Sequence, residues 1–368
     1  MRSSVPVPVG TARRRIEAGL AERDRLLTGS RACGSTNSPP PPSSSTEGAL
    51  ERNLATMAEV WPGRRLRPHV KAHKTSGLAR RQAELGHTGF TCATIREVEV
   101  MAAAGLGEDL LLANEVLDMR RLGAVVEAGA RVTVAVDSDA VLRAAVDGGV
   151  REVLIDVNVG LPRCGCAPED AGRLADAARA AGLEVRGVMG YEGHLMLVPD
   201  RDDRVRKTAK AMDLLTTAHA DVGGDVLSGG GTGTWRTNAV VTELQAGSYA
   251  LMDTAYAAQD DVPFEQALTV LATVVSVNAA GGWAVADAGL KAFGMDHGDP
   301  TLPGAAVLYC SDEHTIVAAA DGGTLPALGD RVRLVPAHID PTVSQHERMW
   351  VVDGEEVVDC WPVDMRHW

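Results

Sequence analysis

The chain has 368 residues, 45% of them hydrophobic, which allows either two domains or one large barrel with an additional domain. Its 36 basic and 49 acidic residues give a formal charge of −13, which argues against nucleic acid or an anionic membrane as a partner. No apolar run approaches the roughly 18 residues that cross a bilayer, and six scattered cysteines indicate reduced thiols, so we expect a cytoplasmic protein.

The first 48 residues differ in character from the rest of the chain. Residues 11–27 predict an amphipathic helix, and the Pro/Ser-rich run NSPPPPSSSTEG follows it. Such a run supports neither a helix nor the interior of a paired strand. We therefore predict that residues 1–48 form an atypical N-terminal helix and a linker.

Residues 49–262 alternate short apolar runs with Ala-rich segments of helical composition. Eight apolar runs separated by helices are typical of a closed parallel sheet, and an open doubly wound sheet is the alternative. The count of eight favours a parallel (β/α)8 barrel. The runs are RPHVKA, GFTCAT, DLLLAN, RVTVAVD, EVLIDVNV, EVRGVMGY, DVLSGG and TELQAG.

From residue 263 to residue 368 the hydrophobic period changes to two, as in LTVLATVVSV and DRVRLV. Asp353-Gly354 between two such runs predicts a β-hairpin. The predicted fold is thus of the α/β class: a (β/α)8 barrel followed by an antiparallel all-β domain.

Functional residues of such barrels follow the C-terminal ends of the strands. Lys71 lies at the end of the first predicted strand. Arg163 follows the fifth strand, His194 the sixth, and the run SGGGTGTW the seventh. Loops after the seventh strand often bind phosphate through bare backbone N–H groups, although a Gly-rich run can also be only a turn. Gly230, Gly231 and Thr232 are the candidates.

A lysine that faces a phosphate site suggests a phosphorylated carbonyl cofactor, and pyridoxal phosphate meets both requirements. We expect burial to lower the pKa of Lys71 and free its amine. A salt-bridged or snorkelling lysine is the alternative. Lys74, three positions along, is interpreted as exposed or facing the substrate.

His338 and Asp340 in PAHIDPT suggest a metal site. On a strand the two side chains share a face, and imidazole with carboxylate suits manganese, iron, cobalt or zinc better than calcium. A structural His–Asp hydrogen bond is the alternative interpretation. His194, His297 and His314 are candidates to complete or flank the site.

Ten motifs in order, among them RPHVKAHKT, VNVGLPRCG, SGGGTGT and PAHIDPT, resemble the D-threonine aldolase and D-serine dehydratase family over residues 49 to about 365. These are pyridoxal phosphate enzymes with the alanine-racemase-like fold. The resemblance implies that Lys71 forms the Schiff base, that Arg163 contacts the cofactor ring oxygen, and that His194 is the base near the β-hydroxyl. It places further cofactor-binding residues at Tyr191, Gly230, Gly231, Thr232, Ser248 and Tyr249, and metal ligands at His338 and Asp340.

The H-x-D pair resembles that of D-threonine aldolases, whereas the dehydratases carry H-x-C with zinc. The resemblance therefore implies a manganese-like ion and cleavage of a D-3-hydroxy amino acid to glycine and an aldehyde. We expect a homodimer or a monomer. The alternatives are a 3-hydroxy amino acid dehydratase and a non-catalytic pyridoxal phosphate-binding protein. A racemase is disfavoured because Tyr309, the only tyrosine of the predicted β domain, lies in no recognisable motif.

One departure from the family precedes the barrel. Relatives carry an apolar strand there that belongs to the β domain, and the Pro/Ser-rich run cannot replace it. We expect its loss to leave a sheet edge open.

Overall fold

Seven parallel strands follow one another in sequence order around a curled sheet. They are seen in a computed structural model that describes residues 46–320 and 323–367. Nearly every residue of these strands is buried, as expected for a sheet that helices cover on its outer face. The strands are β1 (Gly89–Cys92), β2 (Asp109–Leu112), β3 (Val132–Val136), β4 (Glu152–Asp156), β5 (Glu184–Gly190), β6 (Val226–Gly229) and β7 (Glu243–Leu244).

Residues 66–69 close this sheet into a ring. Leu66 forms a parallel bridge with Leu244 of β7, and His69 forms one with Thr91 of β1. The segment pairs only through isolated bridges because Pro68 has no N–H to donate and the chain then turns into a 3₁₀ turn at Val70–Ala72. The prediction of a (β/α)8 barrel with an antiparallel domain is confirmed.

Helices connect the strands, and several begin where the sequence supplies an N-cap. The side chains of Thr75, Thr94, Ser138 and Asp200 accept hydrogen bonds from backbone N–H groups of the first turn. In the described part of the chain, no helix has the length and apolarity to cross a membrane. The helices of this region are α1 (Thr46–Val60), α2 (Ser76–Glu84), α3 (Ile95–Ala103), α4 (Arg120–Glu127), α5 (Asp139–Asp147), α6 (Ala171–Ala180), α7 (Arg201–Val222) and α8 (Thr254–Ala257).

The remainder of the chain forms antiparallel sheets. Five strands pair in the order β10-β11-β9-β8-β12, and the hairpin β13–β14 turns at Gly354, whose φ is +60°. The sequence did not predict β10, or the helix α9 that separates β12 from β13. The elements are β8 (Val270–Asn278), β9 (Trp283–Ala286), β10 (Ala305–Cys310), β11 (Thr315–Ala319), β12 (Arg331–Leu334), α9 (Ile339–Gln345), β13 (Arg348–Asp353) and β14 (Glu356–Pro362).

The predicted helix at residues 11–27 lies outside the described residues. Most of the Pro/Ser-rich run, where the loss of the family strand is expected, lies outside them too, since the description begins at residue 46.

A buried network of charges fills the barrel at the N-terminal ends of its strands. Arg67 lies 2.9 Å from Asp109 and 2.8 Å from Glu243, and Arg186 lies 2.7 Å from Asp109. Arg186 also approaches Glu152 to 3.5 Å. Because these residues lie near the strand starts, they stabilise the end of the barrel opposite the functional residues.

Candidate active site

A cavity of about 530 Å³ opens where the barrel strands end. Its wall contains residues that follow β1, β2, β5, β6 and β7, together with residues of α9. This volume is typical of a small-molecule site. A larger depression of about 730 Å³ between α3 and α4 shares no residue with this cavity.

Lys71 lies on the 3₁₀ turn that follows the closing segment, and it lines the cavity. Its Nζ is 3.1 Å from Oδ1 of Asp340, and 42% of its side chain is exposed. The negative charge of Asp340 raises the pKa of Lys71 and outweighs the burial that would lower it. The expectation of a lowered pKa was wrong because no local pattern places Asp340 beside Lys71.

His338 and Asp340 lie at the start of α9 rather than on a strand. Asp340 is in the first helical turn, where a carboxylate is favoured by the helix dipole. Nε2 of His338 is 3.9 Å from Oδ2 of Asp340, and this carboxylate oxygen is buried without a hydrogen-bond partner. An unpartnered buried oxygen beside an imidazole nitrogen is a donor set that fits a divalent transition-metal ion.

Two short loops after β6 and β7 form another part of the cavity wall, which contains Gly231, Thr232 and Ser248. Oγ1 of Thr232 accepts a hydrogen bond of 3.0 Å from the backbone N–H of Tyr249 and so joins the loops. The ring of Tyr249 is buried elsewhere, with its hydroxyl 2.9 Å from the Gln82 amide. Small residues and hydroxyls at this part of the wall fit a phosphate group.

The buried side chain of Glu192, which the sequence analysis did not select, contacts the glycine loop, which contains Gly230 and Gly231, from outside the cavity lining. Glu192 accepts hydrogen bonds from the N–H of Gly230 (3.2 Å), the hydroxyl of Thr234 (2.9 Å) and the amide of Asn238 (2.9 Å). Gly230 has a φ of +75° and is not among the cavity residues, since its N–H faces Glu192.

Arg163 and Tyr191 form a further part of the wall. The guanidinium of Arg163 lies 5.4 Å from the centre of the Tyr191 ring, a cation–π geometry. Burial raises the pKa of Tyr191, so its phenol stays neutral at physiological pH.

His194, the predicted base, does not line the cavity. It is exposed, on the 3₁₀ turn Gly193–Leu195, and its ring lies against Gly160. Lys74 lines the cavity, but its side chain is only 14% exposed and forms an ion pair with the buried Glu97.

The cavity also contains polar residues that the sequence did not select. Burial lowers the pKa of His69 well below its usual value, so this imidazole is neutral. Burial and the neighbouring Glu115 raise the pKa of Asp156 well above its usual value. Asp156 and Glu115 line the cavity, as do Tyr256 and His367. Asp156 is the last residue of β4 and Glu115 follows β2, and this position at a strand end was the only signal in the sequence for the two carboxyl groups.

The structure therefore brings most of the predicted residues into one cavity: Lys71, Arg163, Tyr191, Gly231, Thr232, Ser248 and Asp340. It places Gly230, Tyr249, His194 and His338 around this cavity without making them part of its lining. The roles assigned to these residues remain predictions.

Known proteins share this architecture and much of the sequence. Residues 46–254 match the family model of the alanine racemase N-terminal domain, and residues 267–352 match that of a putative serine dehydratase domain. D-threonine aldolase of Arthrobacter sp. is 36% identical, over 86% of this chain and 90% of the relative. 3-Hydroxy-D-aspartate aldolase of Paracoccus denitrificans is 34% identical, over 86% of this chain and 89% of the relative.

The crystal structure of D-threonine aldolase from Filomicrobium marinum superposes with a TM-score of 0.81. It is 38% identical in sequence, and the match covers 88% of this chain and 94% of that one. The predicted family and the predicted enzyme class, a lyase, are confirmed by these relatives. The chain belongs to the D-threonine aldolase and D-serine dehydratase family of alanine-racemase-like enzymes.

Proposed function

We propose that this enzyme binds pyridoxal phosphate and a divalent metal ion, and cleaves D-3-hydroxy amino acids such as D-threonine to glycine and an aldehyde. One observation carries the proposal. The side chain of Lys71 and the carboxylate of Asp340 meet at 3.1 Å in the cavity, with the imidazole of His338 beside them. An amine for an aldehyde cofactor and ligands for a metal ion are thus adjacent.

The cofactor would be held between Lys71 and the glycine loop. Lys71 supplies the amine, the hydroxyls of Thr232 and Ser248 would receive the phosphate, and Arg163 and Tyr191 would orient the ring. His338 and Asp340 would hold the metal ion. When bound, pyridoxal phosphate supplies an electron sink for the electrons of the broken bond, and the metal ion supplies a Lewis acid.

A base must remove the proton of the substrate β-hydroxyl while the Cα–Cβ bond breaks, and Cα must then receive a proton. His194 remains our proposed base, although its ring lies outside the cavity lining. His69 is the alternative from the cavity wall, because its neutral imidazole has a buried Nδ1 without a hydrogen-bond partner.

The donor set favours the aldolase over the dehydratase. A carboxylate at residue 340 accepts harder ions such as manganese, whereas a thiolate at this position would select zinc. Cleavage and dehydration begin from the same kind of substrate and differ in which bond breaks, so only the products separate them.

The test is an assay of the purified protein with pyridoxal phosphate and D-threonine, with and without Mn²⁺. The proposal predicts a visible absorption band from the bound cofactor and metal-dependent release of glycine and acetaldehyde. Lys71→Ala should abolish both, because the amine is lost. The matched control is Lys291→Ala, which removes an exposed lysine of a surface ion pair and should change neither. Glycine release that is equally fast after chelation would contradict the metal-assisted mechanism.

A further inference from the structure

The loop between β9 and β10 brings an additional carboxylate to the metal ligands. Oδ2 of Asp296 lies 2.7 Å from Nδ1 of His338, which is a hydrogen-bond distance. Neither the sequence motifs nor the resemblance assigned any role to Asp296. It is half-exposed and lies outside the cavity lining, so it has no contact with the expected substrate position.

The hydrogen bond decides which imidazole nitrogen carries the proton. The Asp296 carboxylate only accepts, so Nδ1 of His338 must be the N–H donor and Nε2 must carry the lone pair. His297 restricts the same ring from another side, since the two imidazoles stack with centroids 4.1 Å apart and an interplanar angle of 11°.

The nitrogen that is freed in this way points toward Asp340. Nε2 of His338 lies 3.9 Å from the unpartnered Oδ2 of Asp340. Metal–nitrogen and metal–oxygen bonds are each about 2.1 Å, so one ion between these atoms can reach both. Two such bonds in line span about 4.2 Å, and at a tetrahedral angle they place the two ligand atoms about 3.4 Å apart. The observed separation lies between these values, so ligation would need only a small movement of either residue.

We propose that Asp296 is a positioning residue of the metal site, which holds His338 in the tautomer and orientation that present Nε2 to the ion. The inference rests on the metal site of the proposed function. Asp296, His297 and His338 could also hold an ion themselves, since each offers a ligand atom and these three atoms lie within 4.8 Å of one another. The hydrogen bond between Oδ2 of Asp296 and Nδ1 of His338 argues against direct ligation by Asp296, because it already occupies both atoms.

The test is a calorimetric titration of the metal-depleted, full-length protein with Mn²⁺, which measures metal affinity independently of activity. Loss of a carboxylate that hydrogen-bonds to a metal-binding histidine typically weakens metal affinity by about 10–100-fold, and we expect Asp296→Ala to weaken Mn²⁺ affinity by this factor. Asp296→Asn should lose less, because its amide oxygen can still accept the Nδ1 hydrogen bond. Asp299→Asn, an exposed aspartate of the same loop, is the matched control and should bind as the wild type does.

The outcomes separate the possible roles. Asp296→Ala with wild-type affinity would overturn the proposal, as would a loss as large as that of His338→Ala, which would make Asp296 a ligand. The absorption band of bound pyridoxal phosphate should be unchanged in all Asp296 variants. A variant that loses both this band and its Mn²⁺ affinity would indicate general disruption of the site, and this result would also overturn the proposal. A wild-type protein that binds no Mn²⁺ would refute this inference together with the metal dependence of the proposed function.

Discussion

Asp109→Asn should destabilise the barrel while the activity of the folded protein is preserved. The carboxylate receives hydrogen bonds of 2.9 Å from Arg67 and 2.7 Å from Arg186, and the three side chains are at most 10% exposed. The substitution leaves both guanidinium groups buried with one negative partner fewer. Removing one partner from a buried ion pair costs about 3–5 kcal/mol, so the free energy of unfolding should fall by that amount.

The assay is equilibrium urea unfolding, with Asp139→Asn as the matched control. Asp139 lies 3.1 Å from Arg173, but both side chains are more than half exposed, so this pair should contribute only about 0–1 kcal/mol. Glycine release per folded molecule should equal that of the wild type, because Asp109 lies at the opposite end of the strands from the cavity. An Asp109→Asn loss no larger than the Asp139→Asn loss would refute the reasoning.

The same network sets the direction of the pH dependence. Burial alone would raise the pKa of Asp109, but the hydrogen bond from Arg186 and the charge of Arg67 bring it well below the usual range. The stability that Asp109 contributes is therefore complete above the unfolded-state pKa of about 3.9 and is lost as the pH falls toward the folded-state pKa. The difference between wild type and Asp109→Asn should be constant above about pH 5 and shrink in acid.

Three further predictions concern the cavity. Gly233→Ala should weaken pyridoxal phosphate binding at least about tenfold in a fluorescence titration, since the new Cβ would lie 2.2 Å from the carbonyl oxygen of Met196. His194→Ala should lower kcat for D-threonine by about 10²–10⁴-fold without changing cofactor or metal affinity. An unchanged kcat would contradict the assignment of His194 as the base and favour His69. His367→Ala should raise KM for D-threonine and leave the cofactor absorption band unchanged, because this residue lines the cavity; an unchanged KM would exclude contact with the substrate.

The barrel could be predicted from the sequence because buried parallel strands are continuous apolar runs that helices separate. The strand β10 was missed because its residues, AAVLYC, show no regular alternation, and the strand is irregular opposite β11 at Val307 and Tyr309. The helix α9 was mistaken for a strand although Asp340 and Pro341 in its first turn are signals of a helix start.

The site could be predicted only as separate pieces. The rule that functional residues follow strand ends placed Lys71 and Arg163 at the cavity, where the structure has them. The contacts of Lys71 with Asp340 and of His338 with Asp296 join residues far apart in sequence, and no local pattern predicts such pairs. For the same reason the raised pKa of Lys71 was not foreseen, since it depends on the charge of Asp340 on α9.

The most direct test of the proposed function is a nuclear magnetic resonance measurement of where carbon 3 of the substrate goes. D-threonine labelled with ¹³C at this carbon is incubated with the enzyme, pyridoxal phosphate and Mn²⁺. Cleavage of the Cα–Cβ bond predicts that the label appears in acetaldehyde and its hydrate while unlabelled glycine accumulates. Label that remains in a four-carbon 2-oxo acid, with release of ammonia, would contradict the proposal and identify a dehydratase.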